Sequence, residues 1–176
     1  TVPLAAQEPG QASVVSAAPD PDRVEALEQA VADEPYVLEA RSLLVHPEYL
    51  DDYQRTRVLS LFATRYAAPD AGFAAVVKAH LKRDGALHDG VEVIATKHAQ
   101  LVGASTLMPV QVRNALPFDA AVNITVVPVS AALAVSEVAF PAVQLPQDST
   151  ERVLVPVQSR VSSGESGLLV SVRSTD

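Results

Sequence analysis

The sequence has no cysteine and no tryptophan, and aromatic residues make up only 5% of it. Without cysteine there are no disulfides, no thiolate metal sites and no cysteine nucleophiles, although this leaves the compartment open. Few aromatics weigh against a carbohydrate-binding module, because ring faces are what stack on sugar C–H faces. The rings are Tyr36, Tyr49, Tyr53, Tyr66, Phe62, Phe73, Phe118 and Phe140, and most fall in helical patterns. No run reaches the roughly 18 consecutive apolar residues of a membrane span. Nor does a basic stretch lead into an apolar one as in a signal peptide. Clustered Lys and Arg are also missing, and the net charge is −8. That balance argues against nucleic acid as a partner and against direct contact with anionic lipid.

What is present suffices for a folded protein. The chain has 176 residues, 48% hydrophobic and 19% charged, enough to bury a core and too apolar for a disordered tail. It starts at Thr1 and stops just after a strand-like run, which reads as a fragment of a longer protein. Residues 1–19, rich in Ala, Pro, Gln and Ser, read as a linker or a disordered lead-in. A helix is expected from Asp20 or Asp22, with Pro21 in its first turn, Val24, Leu27 and Val31 at helical spacing, and Asp33-Glu34-Pro35 ending it. Leu38, Leu43 and Leu44 indicate a short helical piece before His46-Pro47. The strongest helix spans about 47–66, with Leu50, Tyr53, Val58, Leu61, Phe62 and Tyr66 as its apolar stripe and Arg55, Arg57 and Arg65 largely outside it. Ala67-Ala68-Pro69 breaks it, Asp70 caps the next helix, and that one carries Phe73, Val76, Val77, His80 and Leu81 before stopping near Asp84-Gly85.

The pattern changes near Gly90. Val91, Val93 and Ala95 alternate with their neighbours; Leu107–Arg113 is a second run, turning at Asn114-Ala115-Leu116-Pro117; Val122, Ile124 and Val126 alternate in a third. Short extended pieces follow at Ala134-Val135 and Val138–Phe140, broken by Pro141. Val153–Val157 is another strand, and a loop at Ser162–Gly167 precedes Leu168–Val172. Six or seven short strands without intervening helical pattern predict a β-sandwich. The fold class is therefore α+β, with linker 1–19, a small helical cluster over 20–88 and an antiparallel immunoglobulin/fibronectin-like sandwich over 89–176. Helices this short are marginal alone, so the two parts should share an apolar interface.

Several segments together resemble a known family. Pro109-Val110-Gln111-Val112-Arg113-Asn114 leading to Leu116-Pro117 is similar to a "P-V-x-V-x-N" strand and turn. Ala121–Val126, the Val-Pro-Val run in Thr150–Val157 and the closing Gly164–Val172 follow in the matching order. These segments resemble DUF6049, an actinobacterial envelope-protein family of unknown function. The resemblance implies an extracytoplasmic protein with a signal peptide and C-terminal membrane anchor, in the setting of cell-wall synthesis.

Reactive constellations are hard to assemble. Gly164-Glu165-Ser166-Gly167-Leu168 breaks the spacing of a nucleophile elbow and reads as a hairpin loop. His80, His88 and His98 with Asp84 and Asp89 can be drawn as a metal cluster, but no zinc spacing fits, and they read as scattered junction residues. His46 reads as a helix-entry residue, and Glu48, Asp51 and Asp52 as carboxylates favouring a helix N-terminus over paired acid–base chemistry. Asn123-Ile124-Thr125 matches a glycosylation acceptor but lies in a strand. The expectation is a non-enzyme with no catalytic, cofactor-binding or metal-ligating set, acting as an interaction or spacer module toward an envelope protein. The alternative is a glycan-binding module, which would need a calcium site in the loops or exposed aromatics, for which the sandwich half offers only Phe118 and Phe140, or else an accessory domain of a cell-wall enzyme.

Overall fold

Asp20 opens the first helix: its carboxylate accepts a hydrogen bond from the Asp22 amide, and Pro21 takes the first helical position. The computed structural model describes residues 20–66, 72–94, 101 and 103–175. The linker expected over 1–19 and the break and cap expected at 67–70 lie outside the described residues. Helix α1 is Pro21–Leu38, α2 is Pro47–Leu61 and α3 is Phe73–His88, with a 3-10 turn at Glu39–Leu43 between the first two.

Three helix ends differ from expectation. Helix α1 does not stop at Pro35 but runs one turn further, to Leu38. A proline forfeits its N–H bond to the residue four back, here the exposed Val31, where water can take the carbonyl. Helix α2 ends at Leu61, and Thr64–Tyr66 form a separate 3-10 turn. There the Arg23 guanidinium from α1 donates to the carbonyls of Phe62 (2.9 Å) and Tyr66 (3.1 Å), capping a helix end from another helix. Helix α3 passes through Asp84-Gly85 to His88, because Gly85 stays helical and fully buried Leu87 anchors one more turn.

The helical stripe on α1 also faces the other way. Ala26, Ala30 and Val37 are buried, whereas Val24, Leu27 and Val31 are exposed. Small alanines let α1 approach α3 closely, which selects the alanine face over the bulkier one.

Seven strands follow among the described residues: β1 Val91–Ile94, β2 Ser105–Asn114, β3 Ala120–Pro128, β4 Leu133–Val135, β5 Ala139–Leu145, β6 Ser149–Ser159 and β7 Leu168–Ser174. They form two sheets, ordered β1-β2-β6-β4 and β5-β3-β7, and every pairing is antiparallel. The arrangement is α+β with a sandwich-like pair of sheets. Period-two alternation sends Val122, Ile124 and Val126 of β3 inward to meet Val110, Val112, Val155 and Val157 of the facing sheet. Pro141 does not break β5: it lies on an edge strand, where a missing N–H costs no ladder bond. Beside it Ala142 adopts a positive φ of 51°, the β3–β5 register shifts, and Asn123 Oδ1 accepts the Ala142 amide at 3.0 Å.

Helices and sheets share one core. Val37, Ala40, Leu44, Leu50 and Leu87 join Leu116, Ala120, Leu145 and the inward valines in a continuous buried cluster. A backbone bridge between Leu44 and Ala120 and an edge-to-face contact of Tyr53 with Phe118 stitch the helices to one end of the sandwich. Gly90 joins α3 to β1 against Leu116, where any Cβ would collide with the leucine side chain.

Asn114, read from sequence as a turn residue, ends β2 fully buried. Its Nδ2 donates toward the carbonyls of Phe118, Leu145 and Pro146 at 2.8–3.1 Å, and its Oδ1 accepts the Leu116 amide at 3.0 Å. One side chain thus ties the β2–β3 loop to the end of β5 and the β5–β6 loop. Asn114→Ala strands these groups without water and should lower unfolding free energy by about 3 kcal/mol. Urea denaturation checks this, with the midpoint falling and the m-value unchanged.

Candidate functional site

Two features stand out: a buried polar cluster between the helices and an uneven set of sheet edges. The cluster arises because α2 places Gln54 and Arg57 one turn apart on the face that meets α3, where His80 and Asp84 sit at i, i+4. Arg57 Nη1 pairs with Asp84 Oδ1 and also donates to Gln54 Oε1 at 2.6 Å, while Nη2 donates to the His80 carbonyl at 2.8 Å. Gln54 Nε2 donates to Asp84 Oδ1 at 3.2 Å, and the guanidinium lies over the Tyr53 ring. Arg57 was expected outside the apolar stripe. Its side chain is instead 14% exposed and Asp84 only 3%, so this is an interior ion pair.

His80 Nε2 lies 3.4 Å from Asp84 Oδ2 without forming a hydrogen bond, and both atoms are otherwise unpartnered. Burial lowers the imidazole pKa below its ordinary value; Asp84 and Asp33 pull it up and Arg57 pushes it down. His80 is therefore neutral in the fold at neutral pH.

The other sequence candidates scatter. His88 stacks on Tyr36 with ring centroids 3.6 Å apart, and its Nδ1 is 3.1 Å from the Tyr36 carbonyl. His98 lies outside the described residues. The drawn cluster of His80, His88, Asp84 and Asp89 thus splits into two separate pairs, His80 with Asp84 and His88 with Asp89 at 3.9 Å, and among the described residues no three His, Asp or Glu converge as metal ligands. Asp51 pairs with Arg41 at 3.2 Å, Glu48 sits 3.2 Å from His46, and Asp52 is exposed, so these carboxylates do not face one cleft. Ser166 Oγ meets Ser130 Oγ at 2.8 Å, tying two exposed loops together. Phe118 and Phe140 are half-buried against the core, so neither ring is a free platform.

The sheet edges are the second feature, which sequence reasoning did not resolve. Edge strands β1 and β4 have only four and three residues, and β5 carries Pro141 and the bulge at Ala142. Short strands, proline and bulges are the usual means of blunting an edge. Strand β7 has none of them: seven regular residues, no proline, one charge at Arg173, and over Leu168–Arg173 no strand paired along its outer side among the described residues, although β1 and the 3-10 turn at Glu39–Leu43 approach it. Its inward Leu168, Val170 and Val172 stay half-buried, while the equivalent Val122, Ile124 and Val126 of its neighbour β3 are fully buried.

These features define an α+β protein of two antiparallel sheets in a sandwich-like arrangement with helices packed at one end. The chain belongs to the family of unknown function DUF6049, whose model matches residues 3–176. Among curated proteins none matches it. No helix among the described residues is long and apolar enough to cross a membrane.

Two outcomes follow from the buried cluster. Unfolded imidazole titrates near 6.5 and folded His80 below that, so below this pH the unfolded chain binds more protons. The His80 contribution is whole above about pH 6.5 and declines as pH falls. Stability measured from pH 7.5 to 5 should fall more steeply in the native chain than in His80→Gln. Separately, Arg57→Met leaves Asp84 charged and dry and should cost about 3 kcal/mol, much of it recovered in Arg57→Met/Asp84→Leu. Thermal melts of the three chains decide this.

Proposed function

We propose that the protein is a non-catalytic interaction module that binds an extended polypeptide by pairing it along β7. The observation that carries this is the contrast among edges: three are blunted, and β7 is long, regular and apolar on its inward face. A strand added there gains main-chain hydrogen bonds from the edge and apolar contacts with Leu168, Val170 and Val172. The sheet orders also support an immunoglobulin/fibronectin-like type. If β1, β2 and β6 correspond to strands A, B and E, then β3 and β7 correspond to C and F, and that fold places a further strand beside F.

The scattered carboxylates and histidines, and Asp84 being committed to Arg57, favour binding over catalysis. The wider setting we propose is an extracytoplasmic module of an actinobacterial envelope protein, linked to cell-wall synthesis through a protein partner; it rests on the sequence resemblance, the matched family being one of unknown function.

Cross-linking in the native envelope tests the reading. Photoreactive residues at Leu169, Ser171 and Arg173 of the full-length protein should capture alternate positions of one partner segment, as antiparallel pairing requires. Leu169→Lys/Ser171→Lys should reduce capture about tenfold, because charges on an edge oppose strand addition. Capture that survives those changes, or that is equal at Gln144 on β5, overturns the proposal. Cross-links confined to other parts of the same polypeptide would make the module an internal spacer instead.

A further inference from the structure

We propose that the outer face of α1, with the adjoining side of α2, is a docking groove for a basic amphipathic helix of another polypeptide. The first observation is that α1 is apolar on two sides. Ala26, Ala30 and Val37 face inward, yet Val24, Leu27 and Val31 form a second stripe that stays 41%, 44% and 58% exposed. Such a stripe normally marks a face that packs on something.

The stripe continues into a shaped depression. Between α1 and α2 lies a groove of about 460 Å3 whose walls include Val31 and Leu38 on one side and Val58 and Leu59 on the other. Leu59 is 67% exposed at its rim. A space of that size admits large apolar side chains from a ligand. The two turns from Val24 to Val31 span about 10 Å, and four turns to Leu38 about 20 Å, the footprint of a helix of about 14 residues.

Charge selects the partner. Helix α1 carries Asp22, Glu25, Glu28, Asp33 and Glu34 against a single Arg23. Arg23 is turned away, donating to the Phe62 and Tyr66 carbonyls. Glu28 and Glu34 lie three positions from Val31 and so flank the stripe on its own face. On the α2 side, Arg41 and Asp51 neutralise each other, and among the described residues Arg55 is the other cation lining the groove, against Glu34 on α1. The complement is a helix with apolar residues at i, i+3, i+4 and i+7 and Lys or Arg beside them. The same acidity disfavours an anionic lipid surface. This surface is distinct from the β7 edge and does not depend on it.

The test uses two 18-residue model helices with the same leucine pattern, one filled with lysine and one with glutamate. Fluorescence anisotropy with the whole chain should show saturable one-to-one binding of the lysine peptide, with the glutamate peptide weaker by about tenfold or more. Leu59→Asp and Val31→Asp alter exposed residues, so their circular dichroism and melting should match the native chain while lysine-peptide binding drops about tenfold. Glu28→Lys/Glu34→Lys should reverse the preference between peptides. Equal binding of both peptides, or lysine-peptide affinity unchanged in Leu59→Asp, overturns the proposal. So does self-association that Leu59→Asp abolishes, which would assign the groove to a second copy. Binding that appears only after removal of residues 1–19 would assign it to the chain's own N-terminal segment, and also overturns it.

Discussion

Leu44, Leu50 and Leu87 from the helices and Leu116, Ala120 and Leu145 from the sheets belong to one buried cluster, and neither layer is complete without the other. Three helices of 18, 15 and 16 residues cannot close a core of their own while one apolar stripe stays outside. The sandwich, for its part, would expose Leu116 and Ala120 if the helices left its end. The contact between layers therefore sets the position of everything else. Gly90 is needed because α3 must turn into β1 against Leu116, and buried Asn114 is needed because two loops, β2–β3 and β5–β6, converge where the helices sit.

Polar groups inside this frame divide by what they do. Asn114 satisfies backbone atoms that would otherwise be dry, a structural task with every bond accounted for. The Arg57–Asp84 pair is different: it holds α2 to α3 with charge in place of apolar surface. Desolvation makes that a costly way to gain stability, but it penalises any misaligned packing of the two helices, since a shifted helix would leave one charge alone. His80 shares the cluster without a completed hydrogen bond, which makes it the one group there whose protonation can change the balance.

The two open surfaces have opposite origins. Over Leu168–Arg173 no strand pairs along the outer side of β7 among the described residues, and the strand's inward apolar side chains stay half-buried. The α1 groove is open in its side chains, on a helix whose own hydrogen bonds are complete. A strand fits the chemistry of the first and a helix that of the second, so the two proposed occupants would not compete for one surface.

Much of the fold was legible from local pattern. Period-two alternation in Val122–Val126 and Val153–Val157, the prolines at 21 and 47, and the absence of cysteine fixed element types, order and excluded chemistries, because each acts through nearest neighbours in sequence. The helical period in α1 was also legible, but not its direction. Both Val24-Leu27-Val31 and Ala26-Ala30-Val37 repeat at helical spacing, and only the fit of small alanines against α3 chose between them. Likewise Arg57, thirty residues or so from Asp84, gave no sign of its partner until α2 and α3 packed. Nor did the Leu168–Ser174 pattern say whether it would be a central strand or an edge. Alternation within a strand is set by the chain itself; which side it pairs on, and whether that side is filled, is decided by neighbours distant in sequence.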